Sequence, residues 1–514
     1  MSAIKMGVST SQDDGVALLD QPQDSDLLAT PEENEMRRRQ RSSMENVSVA
    51  STSKDETEVF EDETDEDPHA AGLGGDIMSA VLGMIKGMVG PAILYLPHGF
   101  ATTGYALALP IIFIATSMYL YSSRCLLEAW KLESLKAEDE VNLMVPPGGS
   151  NSASTGMPST PQHKRRRKML SYPELANRAM GPTGEIVVKT GIALMQSGVC
   201  LTYLIFVPHN LHTSLLYLCN INLSPKIWLG IMVVIEIPLS WITDIRKLTC
   251  TNFAANVLIL YGLMLCLGFA FEEAMHSSDD PDATWHASMV DRITNLEPFK
   301  SQWYLFIGTS VLLFEGSITL LVPLQESVVL EEERQQFPNV YRKVILSIIV
   351  FYIFFGVVCW ASFGDDVHTV LTTSLPSGMF ATSVQLAYSL AVLMTYPLQN
   401  FPALEIATKS IAYFAVETVG LKKNSIWTKR NVISSFLVCA LAVVAITCMN
   451  SLDKVVSLMG SLLGCPIAFV VPPLIHTQLC SDGMSGWRRN TNQFVAIAGV
   501  VAMVLASITT IYTW

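Results

Sequence analysis

Apolar residues in this chain gather into runs of about 18 to 25 positions between residues 77 and 513, with most charges held to the intervals between them. A run of that length crosses the roughly 30 Å of a bilayer's hydrocarbon as a helix. Eleven such segments are predicted, at 77–101, 105–130, 184–211, 226–243, 248–271, 303–324, 344–363, 379–407, 431–450, 455–478 and 493–513. The expected fold class is an all-α polytopic membrane protein with about 11 transmembrane helices. Composition agrees: 50% of the 514 residues are hydrophobic, only 15% are charged, and the mean hydropathy is +0.37. Three or four soluble domains, the expectation from length alone, are thereby excluded.

The formal net charge of −13 says little about the membrane part, because much of the acid lies ahead of the first apolar run. DETEVFEDETDED, Asp55 to Asp67, reads as a solvated run, and residues 1–75 are expected to form a disordered acidic cytoplasmic tail. Nothing near Met1 resembles a signal peptide. With the amino terminus in the cytoplasm, the cytoplasmic connections hold about twenty Lys and Arg and the opposite side about four, which satisfies the positive-inside rule. An odd number of crossings then puts Trp514 on the luminal or extracellular side.

The connection 131–170 is expected to be a flexible cytoplasmic loop carrying PPGGSNSASTGMPSTP and a basic run from Lys164 to Lys168. That run also matches a nuclear-import pattern, but beside a membrane helix it reads as attraction to anionic membrane lipid, and no nucleic-acid partner is expected. Phosphorylation of the loop would weaken such a contact. In the tail, Asp14 followed by Leu18 and Leu19 has the spacing of an acidic dileucine signal read by a sorting adaptor. It agrees with a vacuolar or lysosomal membrane, with the plasma membrane as the alternative. Most of the ten cysteines fall inside apolar segments, where a buried thiol behaves as a small apolar group. No cofactor or metal is implied, and no disulfide is expected unless Cys219 reaches Cys448.

Within the first segment, KGMVGPAILYLP (Lys86 to Pro97) carries residues that an uninterrupted helix avoids. Pro91 lacks a backbone N–H and obstructs the preceding turn, and Gly87 and Gly90 weaken the helix further. Unwound backbone at membrane depth survives only against protein or a watery cavity, so this stretch is expected to line one. Freed amides face anions and freed carbonyls face cations, and an amino acid carries one of each. The alternative is a kink that serves close helix packing. A second interruption lies five segments on, in GTSVLLFEGSITLLVP (Gly308 to Pro323), where Glu315 and Gly316 sit at mid-depth. Glu315 reads either as a proton-coupling group or substrate-amine contact, or as a structural acid bonded to broken backbone. Lys86 reads as a coupling candidate or as a side chain snorkelling to the cytoplasmic face. Glu236, Asp244 and Glu405 read as structural, His209 and His212 as interfacial or structural. Tyr396, Pro397, Gln399 and Asn400 form a polar interruption that lines the path or bonds a neighbouring backbone.

KGMVGPAILYLP resembles the first-helix motif of the amino acid/auxin permease family, in particular fungal vacuolar amino acid transporters and animal proton-coupled amino acid transporters. The resemblance continues through SYPELANRAMGPTG (171–184), GTSVLLFEGSITLLVPLQES (308–327), FGDDVHTVLTTSLP (363–376), VQLAYSLAVLMTYPLQNFPALEI (384–406) and SLDKVVSLMGSLLGCPIAFVVPPLIH (451–476). It implies a transmembrane transporter domain over 76–514: a LeuT-like 5+5 inverted repeat (helices 1–5 over about 77–271, helices 6–10 over about 303–478) plus one extra helix at about 493–513. It also implies that Gly87, Gly90, Pro91 and Ala92 surround an amino acid substrate, faced by Thr309, Phe314, Glu315 and Gly316. Two positions depart from the family pattern. Gly90-Pro91-Ala92 stands where Gly-x-Gly is usual, and Gly83 stands where animal proton-coupled members place a histidine. The function expected is secondary active transport of neutral amino acids by alternating access around broken helices 1 and 6, with the proton as coupling ion. An amino acid sensor signalling through the tail is the alternative. No nucleophile elbow, His-rich metal cluster or phosphate-binding loop marks an enzyme.

Overall fold

The computed structural model describes residues 76–143, 170–242, 249–276, 290, 292–328, 330–419 and 426–514. These residues lie within one compact unit, 67–514. The acidic tail, the dileucine residues Asp14, Leu18 and Leu19, and the Lys164–Lys168 run fall outside them.

The helices in chain order are α1 (Ile77–Met88), α2 (Leu96–Thr103), α3 (Tyr105–Leu143), α4 (Tyr172–Met180), α5 (Pro182–Cys219), α6 (Pro225–Leu239), α7 (Thr249–His276), α8 (Trp303–Leu312) and α9 (Glu315–Ser327). Then follow α10 (Glu331–Phe363), α11 (Met379–Val419), α12 (Ile426–Cys448), α13 (Leu452–Leu458), α14 (Val471–Leu479) and α15 (Gly486–Tyr512). Among the described residues, nine helices are long and apolar enough to cross a membrane, counting α8–α9 as one and α13–α14 as one, and the pair α1–α2, bent by 41°, makes a tenth. The segment predicted at 226–243 is α6, whose 15 residues span only about 22 Å. That is shorter than a full crossing, so among the described residues ten spans are found and the predicted eleventh is not among them.

Other helices outrun their apolar stretches. The chain from Lys131 to Leu143, expected as flexible loop, continues α3 because KLESLKAEDEVNL is built of strong helix formers. Glu133 in that extension pairs with Lys136 at 2.9 Å and with Arg178 of α4 at 3.1 Å. The motif SYPELANRAMGPTG holds a helix of its own, α4. Ser171 caps the Glu174 amide, Pro173 occupies the first turn, and Gly181, at φ 73°, ends it.

Burial ranks the helices. In α8–α9 and in the α13–α14 span, 72% of the apolar window is buried, against 22% in α12 and 33% in α15. The outer helices turn Phe436 and Phe494 outward, as bilayer-facing surfaces do. The central helices touch backbone to backbone. A Cβ on Gly460 would strike the Gly308 carbonyl, and one on Gly316 would strike the Gly87 carbonyl, so positions 460 and 316 need glycine. Between α13 and α14 the helix widens into π turns at Met459–Gly464 and Pro466–Val470.

Gly90 differs from its neighbours: a Cβ there would meet nothing within 4 Å, and its φ of −132° suits any residue. Gly316→Ala is therefore expected to destabilise the fold by about 1–3 kcal/mol, read as a lowered thermal midpoint of the purified protein, while Gly90→Ala leaves the midpoint unchanged.

Candidate functional site

The first break lies where the sequence places it. α1 ends at Met88, Gly90 is extended, and Pro91–Tyr95 forms a single 3-10 stretch before α2 begins. Breaking the helix orphans the Met88 carbonyl, which would otherwise accept from the residue-92 amide. The buried Tyr352 hydroxyl of α10 donates to it at 2.6 Å. The second break is tighter. α8 closes at Leu312, Leu313 and Phe314 form a turn, and α9 restarts at Glu315. The α9 start presents the first amides of a new helix, the end of a helix that favours negative charge.

Glu315 stands at that restart and takes its partners from two other helices. Gln196 of α5 donates Nε2 to Glu315 Oε1 at 2.6 Å, and Gln399 of α11 donates Nε2 to the same oxygen at 3.3 Å. Gln399 also donates to Gln196 Oε1, closing a three-residue node. Two neutral amide donors on one carboxylate supply no compensating positive charge, so the acid is held by hydrogen bonds alone. A space of about 10 Å³ beside it, bounded by Met195, Phe314 and Ile467 among others, has room for about one water. In this conformation the node is closed to anything the size of an amino acid.

The remaining candidates divide. Gly87 and Gly316 meet each other across the α1–α9 crossing, and Gly90, Pro91 and Ala92 follow at the break itself. Phe314 stacks on Tyr119 of α3 with ring centroids 4.4 Å apart, and the Tyr119 hydroxyl bonds Ser317 and Tyr341. Thr309, more than a turn from Glu315, lines a different small space with Tyr95 and His98, and His98 Nδ1 sits 2.8 Å from the Val367 carbonyl. Lys86 is exposed and makes no ion pair among the described residues, a placement that suits snorkelling. Glu236 is fully buried in α6, and neither carboxylate oxygen has a hydrogen-bond partner among the described residues. His212 Nδ1 sits 2.7 Å from the Leu223 carbonyl, a local structural contact. Gln196 and Tyr352 escaped the sequence reading. Gln196 had a signal, a lone amide in the apolar run IALMQSGVC, whereas Tyr352 in VFYIFF had none.

Residues 157–513 match the family described as transmembrane amino acid transporter protein. The chain belongs to this family. It is a multi-pass membrane protein, and its family is one of transporters, not of enzymes. α1 and α2 precede the matched span, so the first break rests on its own residues. The chain is 28% identical over 442 residues to vacuolar amino acid transporter 3 of Saccharomyces cerevisiae, covering 85% of this chain and 56% of that protein. It is 30% identical over 334 residues to vacuolar amino acid transporter 4 of the same yeast, covering 61% of this chain and 45% of that protein. It thus spans about half the length of these two relatives. Against amino acid transporter ANT1 of Arabidopsis thaliana it is 26% identical over 459 residues, covering 86% of this chain and 95% of that protein. Among solved structures, MhsT in complex with L-phenylalanine overlays with a TM-score of 0.44 at 12% identity, covering 84% of this chain and 98% of that one.

Tyr352→Phe removes the donor from the Met88 carbonyl and leaves a buried acceptor unmade. The expected cost is about 1–3 kcal/mol of stability, measured as a lowered thermal midpoint.

Proposed function

We propose that this family member moves neutral amino acids across an endomembrane by alternating access around the two breaks, coupled to protons through Glu315. The observation that carries the proposal is the node of Glu315, Gln196 and Gln399, an acid at a helix break with only neutral donors. The breaks suit the substrate: the α9 start offers amides to a carboxylate, and Gly90 keeps open space beside the α1 break. Opening must part α1 from α9, because their backbones meet at Gly87 and Gly316 and the space beside Glu315 holds only a water. A vacuolar membrane is favoured by the printed names of the yeast relatives, and a cytoplasmic amino terminus by the Lys and Arg distribution.

Gln in place of Glu315 keeps an acceptor oxygen for both amide donors but cannot exchange a proton. In proteoliposomes of the purified full chain with labelled amino acids, the wild type is expected to accumulate substrate when a pH gradient is imposed. Glu315→Gln is expected to cut gradient-driven accumulation at least tenfold while retaining exchange of labelled for unlabelled substrate. Undiminished gradient dependence would make Glu315 scaffold, and a loss found only in Glu236→Gln would move the proton to α6. Binding without uptake in the wild type would replace transport with sensing.

A further inference from the structure

A cavity of about 480 Å³ lies between α3, the end of α9 and the first turns of α10, and is lined by none of the residues of the Glu315 node. Its volume is within the roughly 300 to 1,000 Å³ of small-molecule sites, whereas the spaces beside Glu315 and beside His98 and Thr309 have room for about one water each. Four cationic side chains line it, Arg124 and Lys131 from α3 and Arg334 and Arg342 from α10, against one carboxylate, Glu128. That carboxylate is already engaged: Arg124 pairs with it at 2.7 Å, His476 at 3.2 Å and Arg488 at 3.3 Å. Of the nearby acids, Glu133 pairs with Lys136 and Arg178, whereas Glu326 accepts from the Trp130 indole at 2.6 Å and Glu333 from the Ile77 amide at 3.0 Å, neutral donors that leave their charge in place. The cavity lining itself holds more positive than negative charge around an opening large enough for a ligand.

The walls are not uniformly polar. Leu120, Leu127 and Pro338 line the same cavity, and Leu135, also in the wall, is 50% exposed. One turn beyond Arg342, Leu346 is likewise exposed on α10. Cations beside an outward apolar rim, at the end of the helices that carries the Lys and Arg-rich connections, fit an anionic headgroup whose acyl chains stay in the bilayer. Arg presents paired donors to phosphate oxygens, and Lys131 adds a point charge.

We propose that this cavity binds the phosphorylated headgroup of an anionic membrane lipid, an inositol phospholipid by size and charge. Its walls join α3 and α10 to Gln325 near the end of α9, whose other end holds Glu315. An occupant there ties the moving half of the second break to its neighbours and makes the protein responsive to the lipid of its own membrane.

The test uses the full chain in phosphatidylcholine nanodiscs, titrated with short-chain phosphatidylinositol bisphosphate, with the matching soluble inositol phosphate and with inorganic phosphate. It needs no transport measurement, so its failure is separate from failure of the transport reading. The lipid is expected to bind saturably, with the double variant Lys131→Gln, Arg342→Gln weakening it at least tenfold and Lys343→Gln, an exposed neighbour outside the cavity, leaving it unchanged. Thermal midpoints of the three proteins check that each is folded, and the single variants Lys131→Gln and Arg342→Gln serve if the double variant is not. Equal lipid affinity in the wild type and the cavity variants would overturn the proposal. So would inorganic phosphate or the soluble headgroup binding as tightly as the lipid, which would assign the cavity to a free anion.

Discussion

A backbone polar group inside hydrocarbon has no water to bond, and that constraint governs where this chain can break a helix. At the first interruption another helix supplies the missing partner: the Met88 carbonyl, freed by Gly90 and Pro91, takes the Tyr352 hydroxyl. At the second the turn bonds locally, Phe314 N–H to the Val311 carbonyl, and α5 and α11 meet the Glu315 carboxylate instead. Neither break would persist on a bilayer-facing helix. Both lie in the buried centre, and the helices that face outward, α12 and α15, run without interruption.

The same constraint sets the spacing. Satisfying broken backbone with neighbouring helices requires close approach, and close approach requires glycine. Gly316 against Gly87 and Gly460 against Gly308 bring three spans into backbone contact. The space beside Glu315, with room for about one water, is closed to anything larger in this conformation.

Much of this was legible in the sequence, and what was not has identifiable reasons. Proline and glycine inside an apolar run declare a break because their effect is local and covalent, and the helix does end just ahead of Gly90 and Pro91. Glu315 was visible for a similar reason, the cost of a carboxylate in hydrocarbon. Its partners were harder. Gln399 stood out in a polar interruption, but Gln196 was one amide in a long apolar run, and only the fold brings α5 beside α9. Tyr352 could not be told from the other aromatics of α10. Gly87 and Gly316 read equally as site or packing residues, and only geometry shows that they touch each other. Helix ends were the least legible, because α3 continues on propensity and ion pairs into a stretch with no hydrophobic period.

The central claim is that the open space beside Gly90 is where substrate sits once α1 and α9 part. A single cysteine at Gly90, in a background with the ten native cysteines replaced, tests it through the rate of modification by a charged thiol reagent. The account predicts that the thiol reacts in the cycling protein and that transported amino acids slow the reaction, whereas amino acids that are not transported have no effect. Reaction at the same rate with and without every amino acid would contradict it.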